Sequence, residues 1–197
     1  MKLVIASNNG HKVKEIKKIL GEFFKEIVTI RELGLEIDPE ETGDTFEENS
    51  LIKAKAVCLA SGLPALADDS GLCVNALDGA PGVYSARFAG KEQNDEKNID
   101  KLLDELKDCT DRTAEFVTVV TLVYPDGRVL SAKGRTEGEI TYERKGTGGF
   151  GYDPVFYSRE LNKTFGEATE EEKNAVSHRG KALEALKKIF LSEDAAK

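Results

Sequence analysis

The sequence predicts an α/β protein built on a mixed β-sheet, with the whole of residues 1–197 in one domain. Three observations predict it. In the first third of the chain short apolar runs alternate with amphipathic helical segments, the pattern of parallel strands joined by helices. Further on, TAEFVTVVTLVY at 113–124 ends in Pro125-Asp126-Gly127 and the chain returns at 128–133, the mark of an antiparallel hairpin. No internal repeat, low-complexity stretch or linker divides these two parts, so they share a sheet of mixed direction.

Taken in order, residues 2–6 (KLVIA) read as a short buried strand and Ser7-Asn8-Asn9-Gly10 as the polar loop after it. A helix from about His11 to Leu20 puts Val13, Ile16 and Leu20 on one face. Residues 26–30 (EIVTI) form a second strand, and DPEETG at 38–43 an acidic turn. The helix from about Thr45 to Ala60 opens on a capping box, Thr45 with Glu48, and stops at Gly62 and Pro64. Residues 64–67 (PALA) read as a short strand emptying into the turn Asp68-Asp69-Ser70-Gly71, with a separate strand near 72–75 and a turn, DGAPG, at 78–82. Ile99, Leu102, Leu103 and Leu106 recur at helical spacing within 95–107. After the hairpin, strands are expected near 137–142 and 154–157. A short helix from Thr169 and a last one from about Arg179 to Leu191, with Leu183, Leu186 and Phe190 as its core face, close the chain.

A chain of 197 residues buries a core without disulfide or metal staples. No window approaches the roughly 18 consecutive apolar residues of a membrane span, and the first apolar run stops at Ala6, too early for a secretory signal. Lys and Arg number 28 against 36 Asp and Glu, a net charge of −8. That balance, without any Lys/Arg block, argues against a nucleic-acid polymer as partner. It leaves room for a small anion, because a few local cations and a divalent metal hold a polyphosphate on an acidic protein. Cys58, Cys73 and Cys109 form no CxxC pair, which argues against zinc or a redox dithiol and fits reduced thiols in a cytoplasmic protein.

Five stretches carry candidate chemistry. Ser7, Asn8, Asn9, Gly10, His11 and Lys12 lie between a strand and a helix, where free N–H groups and the Lys12 charge attract an anion; an ordinary Asn-capped turn explains the same residues. Asp68 and Asp69 at a strand end, with Glu40 and Glu41 in the acidic turn, suit a hard divalent cation, or else a solvated turn. On the middle helix Thr45, Asn49, Lys53 and Ala56 form one polar and small stripe from which Lys53 reaches a phosphate, unless the stripe is merely solvated. Gly146, Gly148 and Gly151 spell GxGxxG, but a strand rather than a helix follows, so this is no dinucleotide loop. Its Phe150 and Tyr152 suit stacking on a flat base, or simply return to the core. Lys173, His178 and Arg179 gather donors before the last helix, for a base carbonyl or a phosphate, with a cap histidine as the plainer reading of His178. The set as a whole is what a nucleotide polyphosphate and its metal require.

These residues resemble the inosine/xanthosine triphosphate pyrophosphatase family. The matching stretches are SNNGHK at 7–12, EETGDTFEENSLIKA at 40–54, PALADDSGLCVNALDGAPGVYSARFAG at 64–90, GTGGFGYDPVF at 146–156 and EEKNAVSHRGKAL at 171–183. The likeness covers nearly the whole chain, and its motifs in this order are highly specific. It implies an elongated two-lobed α/β fold with a long mixed sheet flanked by helices, an active-site cleft between the lobes, and a homodimer. It implies Mg2+-dependent hydrolysis of ITP, dITP and XTP to the monophosphate and pyrophosphate, keeping these purines out of DNA and RNA. Carried over residue by residue, Ser7 to Lys12 hold the triphosphate and Lys53 supports it. Asp69 is general base and metal ligand, Glu40 a further metal ligand, and Ser70 touches substrate. Phe150, Gly151, Tyr152 and Asp153 form the base pocket, and Lys173, His178 and Arg179 contact base or phosphate. The chain departs from the family at its first loop, SNN where many relatives have TGN.

Two rivals stay in view. A regulatory nucleotide-binding module is opposed by the acidic pair, which repels phosphate without a metal. A pyrophosphatase for modified pyrimidine nucleotides differs only in the base. A haloacid-dehalogenase-type phosphatase is opposed by the missing DxDx[TV] motif.

Overall fold

The structure is a computed structural model and describes residues 1–194, except for the side chains of residues 11, 193 and 194. The chain runs β1 (Lys2–Ile5), α1 (Gly10–Leu20), β2 (Glu26–Thr29), α2 (Phe46–Ser61) and β3 (Ala65–Val74). It continues with α3 (Asp95–Glu105), β4 (Thr113–Val123), β5 (Val129–Ile140), β6 (Phe156–Ser158), β7 (Lys163–Thr164), α4 (Glu170–Val176) and α5 (His178–Asp194). The strand order is β2-β1-β3-β4-β5-β6-β7. β1 is parallel to β2 and β3, whereas β6 is antiparallel to β5 and β7, so the sheet is mixed as its sequence predicts.

By packing, the chain divides into two units. One holds residues 1–69, 118–134 and the described residues from Arg179 onward; the other holds 70–117 and 135–178. In the first unit alternate strand residues serve opposite faces, as a pleated strand requires. Leu3, Ile5 and Leu66 join Ile16 and Leu20 of α1 and Leu183, Leu186 and Phe190 of α5 in one apolar cluster. Val4, Ala65 and Ala67 join Ala54, Val57 and Cys58 of α2 in another.

Helix α2 is fixed at both ends and along its side. The Thr45 hydroxyl accepts from Glu48 N–H and the Glu48 carboxylate accepts from Thr45 N–H, both at 3.1 Å, a box worth about 1 kcal/mol. Gly62 closes it in the left-handed conformation at φ 66°. Ser50 and Thr121 share a buried hydroxyl bond of 2.7 Å.

In the second unit Leu72, Ile99, Leu102, Phe116, Phe156 and Phe165 are part of one apolar cluster. Arg112 is buried at its edge and donates to the carbonyls of Ile140, Leu106 and Thr141 at 2.6–2.9 Å. Gly138 lets β6 lie against β5, because a Cβ there would stand 2.3 Å from the Tyr157 carbonyl oxygen.

Two sequence expectations need correction and one strand is additional to them. Asp68-Asp69-Ser70-Gly71 is no turn: it is the middle of the ten-residue strand β3. Asp is a poor strand former, but cations reaching each carboxylate from packed helices override that preference. The strands expected at 128–133 and 137–142 are one, β5, whose exposure alternates with period two through Lys133-Gly134-Arg135. The two-residue β7 was not foreseen, being too short to show any period. Among the described residues no helix is long and apolar enough to cross a membrane.

Candidate active site

The acidic centre of the first unit is built on β3. Asp68 and Asp69 are adjacent, so the strand sends their side chains to opposite faces. Asp68 goes the way of Leu66, toward α1 and α5. It is buried, with Lys12 Nζ at 2.9 Å and Arg179 Nε at 3.2 Å from its Oδ2. Glu15, one turn beyond Lys12 on α1, lies 3.4 Å from Arg179 Nη1. Burial alone would raise the Asp68 pKa, but Lys12 and Arg179 outweigh it and hold the carboxyl well below the usual range.

Asp69 goes the way of Ala67, toward α2. Lys53 Nζ lies 3.3 Å from its Oδ1 and 2.7 Å from Glu41 Oε1, bridging the two carboxylates. Burial and the Glu41 charge raise the Asp69 pKa above its ordinary value; Lys53 and Asn49 pull the other way and lose. Burial lowers Lys53, but Asp69 and Glu41 more than reverse it, and the ammonium is held above its ordinary pKa. Asp69 Oδ2 is buried without a hydrogen-bond partner. Asp68 and Asp69 are therefore not a pair of ligands for one ion. The carboxylate brought to Asp69 is Glu41, not Glu40: exposure alternates along 38–43, which turns Glu40 outward and Glu41 inward.

The 7–12 loop belongs to the same unit. Asn9 caps α1, its Oδ1 accepting from Lys12 N–H at 3.3 Å and its own N–H donating to Ser7 Oγ at 3.1 Å. Asn8, Asn9 and Gly10 are exposed and Ser7 is half-buried. The side chain of His11 lies outside the described residues. A cavity of about 900 Å³ in this unit is lined by Ser7, Asn8, Lys53 and residues of the 30–39 segment.

The second unit holds the aromatic loop. Phe150 is 52% exposed. Asp153 accepts from Phe150 N–H at 2.8 Å and pairs with Lys173, whose Nζ lies 4.5 Å from the centre of the Phe150 ring. Burial raises Asp153 above its ordinary pKa despite Lys173. Gly149 has φ +77° and its Cβ would stand 2.0 Å from Asp153 Oδ2, so only glycine fits beside that carboxylate. Gly151 N–H donates to Asp95 at 2.7 Å, and buried Tyr152 donates to the Ser85 carbonyl at 2.8 Å. His178 is buried and stacked on Phe116, with centroids 4.9 Å apart; Ser70 is half-buried.

Thus in one unit Lys53 and Asp69 come together with Glu41 on one face of β3, and Lys12 and Arg179 with Asp68 on the other; Phe150, Asp153 and Lys173 come together in the second unit. Glu15 and Asp95 were missed. Glu15 carries a usable signal, its i+3 spacing from Lys12 on one helix; Asp95 has none beyond its place in the first turn of α3.

The pattern of the Ham1 family matches residues 3–189. The chain belongs to the Ham1 family. The Ham1 protein of Staphylococcus aureus superposes on it with a TM-score of 0.91 at 44% identity, over 98% of this chain and 100% of that one. A HAM1 protein from Coxiella burnetii gives 0.91 at 43%, over 98% and 99%. Among curated relatives, the dITP/XTP pyrophosphatase of Clostridium perfringens is 51% identical, covering 94% of this chain and 95% of its own. That of Staphylococcus epidermidis is 48% identical, covering 97% of each.

Proposed function

We propose that this protein hydrolyses dITP, ITP and XTP to the nucleoside monophosphate and pyrophosphate. Close to full-length likeness to proteins named dITP/XTP pyrophosphatase carries the reading, and the Glu41–Lys53–Asp69 cluster gives it a chemical centre.

In this reading Ser7 to Lys12 and Lys53 bind the phosphate chain. Among the described residues no group of three or more His, Cys, Asp or Glu is arranged to hold a metal. Mg2+ needs only one or two carboxylates when phosphates complete its shell, and the residues fit it. Asp69 Oδ2 is a buried oxygen without a partner. On the Asp69 face one cation, Lys53, meets two carboxylates, Glu41 and Asp69, so added positive charge favours binding a polyanion here. Glu41 and Asp69 are the residues that would hold the ion. When bound, it neutralises charge on the phosphate oxygens and on the departing pyrophosphate.

The protein's own steps follow. Lys53 holds Glu41 and Asp69 in register. Asp69, its proton affinity raised by burial, accepts a proton from the attacking water. Asp68, kept ionised, sets Lys12 and Arg179 in place rather than acting on the water. Phe150 stacks on the base, with Gly151, Tyr152 and Asp153 shaping its surroundings. Lys173 and His178 contact base or phosphate, as does Arg179 on its own unit, and a donor to a C6 oxygen is one that adenine, with its C6 amine, cannot match. Ser70 touches the substrate. The three cysteines are free thiols, which supports a cytoplasmic setting, and the protein acts as a homodimer.

The test is a panel of dITP, XTP, ATP and GTP assayed for orthophosphate with and without added inorganic pyrophosphatase. Orthophosphate from dITP and XTP only in its presence is expected. Direct orthophosphate release, or equal rates on ATP, refutes the reading.

A further inference from the structure

Asn49 is fully buried on α2, one turn before Lys53. Its Oδ1 is committed to the Gly43 N–H at 2.8 Å, at the end of the acidic segment that carries Glu41. That fixes which way the amide points. Its nitrogen, Nδ2, is left without a hydrogen-bond partner. A buried amide nitrogen without a full bond is a stability burden, and an apolar residue would avoid it.

The approach to Gly43 is tight. A Cβ on Gly43 would stand 2.8 Å from Asn49 Oδ1 and 2.6 Å from Glu48 Cβ. The 43–49 bond tolerates no spacer, and α2, held by the Ser50–Thr121 bond, is the rigid element it hangs from.

We propose that Asn49 is a positioning residue: it ties the acidic 40–43 segment to α2, one turn before Lys53, and so sets where Glu41 stands in the Glu41–Lys53–Asp69 cluster. This rests on the reading of Asp69 as the group that accepts the proton. The amide touches neither phosphate nor base in this scheme, so its loss acts on turnover and leaves substrate binding largely intact.

The experiment compares Asn49→Ala, Gly43→Ala and the double variant with wild type, measuring kcat and KM on dITP, with Asp69→Asn in parallel. Misplacement of a reacting group by about 1 Å costs up to ~10²-fold, so kcat should fall about 10- to 100-fold in each single variant, with KM within about threefold. Because both substitutions break one hydrogen bond, the double variant should be little worse than the poorer single. Unchanged kcat in a folded Asn49→Ala, a loss confined to KM, or losses that multiply in the double overturn the proposal. Should Asn49→Ala fail to fold, Gly43→Ala decides by the same split. If Asp69→Asn keeps turnover, the base reading falls and this proposal with it. A dead Asp69→Asn beside an unimpaired Asn49→Ala removes the role of Asn49 alone.

Discussion

Replacing Asp68 by Asn removes the negative charge that Lys12 and Arg179 share while keeping the side chain's size. The charge is buried, and its two partners stand at 2.9 and 3.2 Å. Removing one member of a buried ion pair costs about 3–5 kcal/mol, because the surviving charge stays out of water. Two features draw the figure to the low end. The Lys12 side chain keeps 22% of its surface exposed and can turn to solvent, and Arg179 retains Glu15 at 3.4 Å. The expected loss is about 3 kcal/mol. At roughly 2–4 °C per kcal/mol for a chain of this size, the Tm falls by about 6–12 °C. The pH dependence has a definite sign. The folded pKa of Asp68 lies below its ordinary value, so its stabilisation is complete above the unfolded value near ~3.9 and fades as pH falls toward the folded one. Urea melts of wild type and variant, followed by circular dichroism, should therefore differ most at neutral pH and converge under strong acid. A neutral-pH difference below about 1 kcal/mol, where a broken buried pair costs several, or one that widens on acidification, refutes the reasoning.

Asp69→Asn should abolish turnover and yet raise the Tm at neutral pH. The folded Asp69 pKa is raised, so its stabilising contribution is complete only below about 3.9 and is lost as pH rises through the folded value; the gain over wild type should vanish under strong acid in calorimetry. Phe150→Ala should raise KM for dITP about tenfold, the lower range of base–aromatic stacking, with little change in Tm, since the ring is 52% exposed; steady-state kinetics and a thermal melt read both.

What the sequence made legible was what its own neighbourhood decides. The α2 capping box is written in two residues, Thr45 and Glu48, and the hairpin turn in Pro125-Asp126-Gly127, and both are where expected. The course of β3 is decided elsewhere. Asp68-Asp69-Ser70-Gly71 has the composition of a turn, and what makes it a strand lies elsewhere in the chain: β3 is hydrogen-bonded between β1 and β4, with Lys53 and Arg179 reaching its carboxylates from 16 and 111 residues away. The same distance hid the grouping of the candidate site. Adjacent carboxylates look like a pair, but in extended backbone they are the two least able to meet, because neighbours leave on opposite faces. Each acquires a separate set of helices and, with it, a separate electrostatic fate: Asp68 among Lys12 and Arg179 is locked ionised, while Asp69 beside Glu41 has its proton affinity raised. One strand thus divides two identical side chains into an organiser of cations and a candidate proton acceptor, and the division follows from parity along the strand together with which helix carries which charge.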